Sequence, residues 1–461
     1  MPTRHVIVGA GPAGLAALQT IRSLDAEAEI ELVCDEAACA RMVLPYYLLG
    51  NIEERAVLTA DDDWFAEQRV KTHIGRRVAR VDVGARTLAL DDGAALSYDR
   101  LLIATGSRAT RPPIEGADGE GVVNMWTLAD ANAYLGAAHG ETVVVGAGFI
   151  AFTILDAIVA RSERVSFVEV APRILPRMLD EEAAACFEGV LAAKGIAFHT
   201  DTAVERIEQV AGRRRLHLAS GATLDADAVV MATGIQPNID FLAGSGVEVD
   251  HGILVDEAMQ SSVEGVYAAG DVAQGLDISS GERRVHAIQP TATDHGRVAG
   301  AAMVGESVRY AGSLTMNILA AEGLEACSFG LWGAEGSSDT RVSNPAGGIY
   351  RRYVWGGDAG DVLIGGTIVG PTLAVSGTND VGMLKGLVQT GVSLGPWKAY
   401  LDENPLDLRR VFVASGAARE LLETTLLTGR VSTGGGFRFP KLKPRRARKP
   451  HHAEFVAGAP R

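Results

Sequence analysis

Short apolar runs, each broken by a glycine loop and resumed as an Ala/Leu-rich segment, set the pattern of this chain. HVIVGAGPAGLAALQTI occupies residues 5–21, and TVVVGAGFIAFTILDAI repeats the arrangement at 142–158. A brief apolar run that stops at a glycine turn predicts a buried strand, here at 5–8 and 142–145, and the longer segment after each turn predicts a helix. YDRLLIATGSR (98–108) and ADAVVMATGIQPN (226–238) predict two further strands. Both end in Ala-Thr-Gly. SSVEGVYAAGDVA (261–273) predicts another, ending in Gly270-Asp271. Farther on, GGIYRRYVWGG and DVLIGGTIVG are strand-like, and an amphipathic helix is predicted around NDVGMLKGLVQTGV (379–392).

Composition narrows the class. With 461 residues, 47% of them hydrophobic, and a mean hydropathy of +0.12, the chain suits a folded protein of about three domains. No apolar run approaches the roughly 18 to 20 residues that span a bilayer, so neither a signal peptide nor a membrane helix is expected. Four cysteines are too few for a secreted disulfide scaffold, and a reducing cytoplasm is the simpler setting. A net charge of −14 argues against nucleic-acid binding. KLKPRRARKPHH (441–452) departs from that acidity, with six Lys or Arg and no acid. It suits either a solvated tail or a docking tail for an acidic partner.

The glycine loops carry specific chemistry. In each, the first glycine (Gly9, Gly146) permits the tight turn, and the second (Gly11, Gly148) lets the backbone approach a pyrophosphate. A small third residue (Gly14, Ala151) lets helix and strand pack closely. Both units also have an acid where a ribose needs one. EIELVCDE ends at Asp35 and Glu36, about 20 residues past Gly14, and RVSFVEV places Glu169 18 residues past Ala151. A carboxylate there accepts both ribose hydroxyls. Two such units in series point to a protein holding two dinucleotides. Asp271, just past a buried strand and beside a glycine, suits a polyhydroxyl chain, although taken alone it would sooner be read as a turn or cap residue.

These motifs, in this order, resemble the pyridine nucleotide-disulfide oxidoreductase superfamily of flavoproteins over roughly residues 4 to 330. The likeness is greatest to NADH-dependent rubredoxin and ferredoxin reductases and to the flavin and NADH portion of assimilatory nitrite reductase. QPTATDHGRVAG (289–300) is similar to that group's Trp-Pro-Thr-Ala-x-x-Gln-Gly-Arg-x-Ala-Gly segment, and YAGSLTMNILAAEGLEACSFG (310–330) to the start of its C-terminal domain. The resemblance implies an α/β fold of two Rossmann-like dinucleotide-binding domains, FAD and an inserted NAD domain, plus a C-terminal α+β interface domain. The implied limits are 1–108 and 237–309 for FAD, 109–236 for NAD(P)H, 310–430 for the interface domain and 431–461 for a basic, flexible tail.

It also implies residue roles. FAD would lie against Gly9, Gly11, Pro12, Ala13 and Gly14, with Asp35 or Glu36 on its ribose and Asp271 on its ribitol. Arg41, the Ala104-Thr105-Gly106 turn and Gly270 fall on the same cofactor. Pro290 fits the first turn of a helix, whose Thr291 and Ala292 amides would stabilise negative charge on the reduced flavin. Gly146, Gly148, Phe149, Ile150, Ala151, Glu169, Thr233 and Gly234 would hold the nicotinamide nucleotide, NADH in preference to NADPH.

Three departures matter. Cys34 and Cys39 have the internal spacing of a redox pair but sit at the end of a ribose-binding strand. Met42 stands where single-cysteine relatives carry their nucleophile, and a thioether cannot form a thiolate. Where ferredoxin reductases pair a lysine with a glutamate, RMVLPY (41–46) and the second loop supply Tyr46 and Thr153. Both partners are absent together, which avoids a lone buried charge, and Phe152 is expected to make the pocket more apolar. His286 and His295 are candidate proton donors beside the flavin helix. No metal-ligand spacing is present. The combined reading is a cytoplasmic FAD-dependent NADH oxidoreductase that passes electrons to a protein or small-molecule acceptor without a thiol relay. It would work within a homo-oligomer or a larger redox complex. A flavin-bearing assembly subunit with a decayed NAD site is the alternative.

Overall fold

The computed structural model describes residues 2–137, 140–375, 379–424, 429–433, 437 and 439–440. Two parallel five-stranded sheets follow one plan. In the first, the strand Arg4–Val8 lies between Glu29–Cys34 and Arg100–Ile103; Val70–Ile74 and Val266–Ala268 are the outer strands. In the second, Glu141–Val145 lies between Arg164–Val168 and Ala228–Met231, flanked by Ala197–His199 and Val122–Asn124. The central strands are buried nearly throughout, as expected where helices cover both faces of a parallel sheet.

The second unit sits within the first. The chain leaves along Ser107–Ala109 and returns along Ile235–Pro237, and these segments pair antiparallel. The Thr105 hydroxyl donates to the Asn238 carbonyl, and the Asn238 amide donates to the Thr105 carbonyl, each at 2.9 Å. Beyond the first unit, an antiparallel sheet runs in the order Met316–Ala321, Leu324–Gly330, Val362–Pro371, Ile349–Gly356, Asp339–Asn344. The amphipathic helix forms at Asp380–Thr390 and buries Met383, Leu384 and Leu387 in the core shared with that sheet.

Five helices position the site: α1 (Pro12–Leu24), α2 (Leu44–Leu48), α3 (Phe149–Thr153), α4 (Leu155–Val159) and α5 (Gln289–Met303). The single helix expected after the second loop is broken in two. Ile154, at φ −105° and ψ 2°, separates α3 from α4, and the Thr153 hydroxyl bonds back to the Ile150 carbonyl at 2.7 Å. Such back-bonding competes with the helical ladder. Among the described residues no helix is long and apolar enough to cross a membrane.

The C-terminal segment differs from expectation. Residues 429–433 form a strand antiparallel to Val308–Ser313, and Phe437 and Phe439 pack against the core of the first sheet. Arg297 of α5 lies 4.9 Å over the Phe439 ring. Within the segment from residue 431, residues 431–433 thus belong to a strand, and Phe437 and Phe439 cover that core. The basic run 441–452 lies outside the described residues.

α1 and α5 pack backbone to backbone. A Cβ on Gly296 would stand 2.1 Å from the Ala13 carbonyl oxygen, and one on Gly300 2.7 Å from that of Ala17. Gly296→Val is expected to force the helices apart and cost about 1–3 kcal/mol or more. A lowered Tm together with loss of bound flavin would register it; an unchanged Tm would mean the approach is not tight.

Candidate functional site

The first glycine loop is shaped by close backbone approach. Gly9 has φ +110°, its N–H donates to the Val33 carbonyl at 2.7 Å, and a Cβ there would lie 2.1 Å from the Ala104 carbonyl oxygen. A Cβ on Gly14 would meet the Gly9 carbonyl at 2.0 Å. Gly11 is the opposite case. It caps α1 with no side chain on the cap, and a Cβ there would meet nothing within 4 Å. The second loop repeats this at Gly146 (φ +99°, 2.5 Å from the Ala232 carbonyl) and at the open Gly148, while Ala151 is fully buried. Each loop leaves uncovered helix amides beside an open cradle, the donor set that fits a pyrophosphate.

A second cradle wall comes from α5. Gly270 (φ +79°) sits where a Cβ would lie 3.2 Å from the Ala13 Cβ and 3.4 Å from that of Ala292. The N-termini of α1 and α5 therefore meet at Gly270-Asp271. Pro290 lies in the first turn of α5 and Ile288 caps it with no side-chain bond. Thr291 and Ala292 are buried. Burial pushes the Asp271 carboxyl up, opposed by a 2.7 Å hydrogen bond from Ser107 Oγ and by the Arg41 charge. A carboxylate buried this far is completed by further hydroxyl donors, as a polyol supplies.

Arg41 joins this wall to Glu36. It donates to the Ser107 carbonyl (3.0 Å) and pairs with Glu36 Oε1 (2.5 Å), and its guanidinium lies 5.2 Å from the Trp126 ring centre. Trp126 Nε1 donates to the same Ser107 carbonyl at 2.7 Å. Of the two candidate acids, Glu36 belongs to this chain of contacts, whereas Asp35 is exposed and pairs with Arg77. Ser107 and Trp126 were not foreseen. Ser107 directly follows Ala-Thr-Gly, a usable signal, whereas nothing local in the sequence marks Trp126.

In the second unit Glu169 faces its loop. Oε2 accepts the Ala147 amide at 2.7 Å and Oε1 the Ala171 amide at 2.9 Å. The Thr233 and Thr105 hydroxyls tie the connecting segments together through the carbonyls of Thr110 and Asn238. Arg173 donates to the carbonyls of Leu179 (3.2 Å) and Pro176 (3.3 Å).

Several expectations need correction. Phe152 is not in a pocket. It is 0% exposed and stacks 5.1 Å from Phe167, because its position on α3 turns it into the core. Tyr46 is 55% exposed, since Leu44 and Leu48 turn the other side of α2 inward. Any nicotinamide contact by Tyr46 therefore uses a surface-facing ring, and a lysine there would be solvated. Thr153 spends its hydroxyl on Ile150. His295 is buried, hydrogen-bonded through Nε2 to Ser313 (3.0 Å) and pulled down to about 3 by burial and the His286 charge. A neutral, engaged imidazole delivers no proton to an open site. His286 is also buried, bonded to Asp277 at 2.8 Å.

Two outcomes test this geometry. Asp271→Ala is expected to purify nearly colourless; full flavin occupancy would remove Asp271 from the site. Because Glu169 would repel a 2′-phosphate and Arg173 is held by carbonyls, kcat/KM is expected to favour NADH over NADPH by about tenfold or more. Equal values for the two nucleotides would contradict this.

The chain matches the family model described as pyridine nucleotide-disulphide oxidoreductase over residues 3–296. It is 33% identical over 418 residues to the NADH-dependent phenylglyoxylate dehydrogenase subunit epsilon of Aromatoleum evansii, covering 88% of this chain and 96% of that one. It is 30% identical over 406 residues to the ferredoxin–NAD(+) reductase component of the anthranilate 1,2-dioxygenase system of Burkholderia cepacia, covering 85% and 95%. Among solved structures, a NAD-dependent persulfide reductase from A. fulgidus superposes with a TM-score of 0.79 at 27% identity, covering 92% of this chain and 85% of that one. The chain belongs to the pyridine nucleotide-disulphide oxidoreductases and is an FAD-dependent NAD(P)H oxidoreductase.

Proposed function

We propose that the chain is the NADH-handling flavoprotein subunit of a larger redox complex and exchanges electrons with a partner protein, not through a thiol. The observation that carries this reading is the near full-length match to a subunit of a multi-subunit NADH-dependent dehydrogenase. FAD supplies the conversion between hydride and single electrons, and the protein binds and orients it. In this reading Gly9, Gly11, Pro12, Ala13 and Gly14 seat the FAD pyrophosphate, Glu36 its ribose and Asp271 its ribitol. Gly146, Gly148, Phe149, Ile150 and Ala151 seat the nicotinamide nucleotide, with Glu169 on its ribose.

The cysteines support direct transfer from the flavin. Cys34 and Cys39 are free and buried, and burial, helped by nearby acids, pushes their thiols up to about 12 and about 11. Neither forms a thiolate at neutral pH. The double variant Cys34→Ala/Cys39→Ala is expected to keep flavin reduction and reoxidation within about twofold; a loss of tenfold or more in reoxidation, roughly 1.4 kcal/mol in the barrier, would restore a thiol relay.

Tyr46 tests the nicotinamide side. Tyr46→Ala is expected to change unfolding stability by no more than about 0.5 kcal/mol, as for other exposed positions. Stopped-flow reduction by NADH should nonetheless slow more than FAD binding weakens; an unchanged rate would place the nicotinamide elsewhere. The complex itself is tested by mild purification from the native source. Elution of the chain with partner subunits that accept its electrons is expected. A chain that elutes alone and turns over NADH fully with oxygen would overturn the reading.

A further inference from the structure

A side chain of the inserted unit reaches the wall of the first cradle. Trp126 lies between the strand Val122–Asn124, at the edge of the second sheet, and the helix Leu128–Leu135. Its backbone is anchored there. The Trp126 and Thr127 amides both donate to Asp130 Oδ2, at 3.1 and 2.8 Å, and the Thr127 hydroxyl accepts the Asp130 amide at 3.1 Å. From that anchor the indole crosses to the point where the chain leaves the first unit. Nε1 donates to the Ser107 carbonyl at 2.7 Å, and the ring centre lies 5.2 Å from the Arg41 guanidinium.

Ser107 is where these contacts meet. It is 1% exposed, its carbonyl accepts both Arg41 and Trp126, and its hydroxyl donates to Asp271 at 2.7 Å. Two donors use both lone pairs of that carbonyl. Arg41 needs the help. Its side chain is 30% exposed and that of its partner Glu36 37%, and an ion pair so open to water fixes a guanidinium poorly. An indole face beside the guanidinium, with its N–H on the same carbonyl, removes the freedom that the pair leaves. The helix Leu128–Leu135 makes a second bridge, from Tyr47 Oη to Asn132 Oδ1 at 2.8 Å, at an exposed site. That bridge joins the units without passing through Arg41 or Ser107.

We propose that Trp126 is a positioning residue for FAD: the inserted unit locks Arg41 and Ser107 through it, so the flavin site is complete only while the two units are docked. The proposal rests on the reading that FAD lies in the first cradle, with Glu36 on its ribose and Asp271 on its ribitol. Trp126 serves both ends. It acts through Arg41 on Glu36 and through Ser107 on Asp271, and needs no contact of its own with the cofactor.

The test uses the whole flavin-loaded protein. Each variant is diluted in the absence of NADH, and FAD release is followed by the rise of flavin fluorescence. Trp126→Leu removes both the ring and the N–H, and is expected to release FAD about tenfold faster or more. Trp126→Phe keeps a ring beside Arg41 but loses the bond to Ser107, and about threefold is expected. Tyr47→Phe breaks the exposed bridge alone and is expected to stay within about twofold of the wild type. Because Trp126 acts through Arg41, the double variant Arg41→Ala/Trp126→Leu should fall short of the product of the two single effects. Unchanged release in Trp126→Leu, equal acceleration in Tyr47→Phe, or the full product in the double variant would overturn the proposal. Should Trp126→Leu not fold, Trp126→Phe against Tyr47→Phe decides, and equal rates refute the idea. Asp271→Ala separates the two readings. If it holds FAD as the wild type does, the cradle assignment fails and this inference with it; if it loses FAD while the Trp126 variants do not, this inference alone fails.

Discussion

The contact on which the rest depends is the approach of α1 to α5 at van der Waals limits. Gly296 and Gly300 present bare backbone to Ala13 and Ala17, and Gly270 fits between Ala13 and Ala292. At these points glycine meets backbone and alanine, with Thr20 beside Gly300. Two positive helix ends are thereby brought to one place, although α1 and α5 lie more than 250 residues apart in the chain. Each end alone is a weak anion site. Held together against Asp271 and Ser107, they form one cradle with two positive ends.

The second unit is fixed by a different means. Its core is continuous with α2 on one side, through Leu44 and Leu48, and with the C-terminal sheet on the other, through Leu319, Ala326 and Tyr350. Polar contacts reinforce both joints. Arg161 donates to the Leu48 carbonyl at the end of α2, Asp156 accepts the Glu322 amide at 2.6 Å, and Asp180 accepts Tyr350 Oη at 2.7 Å. Tyr46 is therefore carried on a short helix whose inner face is locked to the nucleotide unit while its outer face stays open. A position that departs from the reductase pattern thus sits on an exposed face.

Much of this was legible in the sequence, and the reason is physical. Gly9, Gly14 and Gly146 are demanded by backbone contacts that no side chain survives, and Glu169 is placed by strand length, so motif and geometry coincide. What escaped reading depended on helical phase or on long-range packing. Phe152 and Thr153 adjoin in sequence, yet one faces the core and the other bonds its own helix. Trp126 reaches Ser107 only because the inserted unit folds back along a paired connection. The ordered strand at 429–433 was hidden by the basic residues that follow it, which dominate the composition of the whole terminal segment.

That last strand has a consequence for how the molecule comes into being. The edge of Val308–Ser313 is completed by residues 429–433, and the first core receives Phe437 and Phe439. Domains generally fold as they leave the ribosome, N-terminal parts first. Here the unit that begins at residue 4 waits for a strand near residue 266, after an entire inserted unit, and then for residues 429–439. Synthesis must pass all of these before the first unit can close. Until then the strand Val308–Ser313 lacks its antiparallel partner.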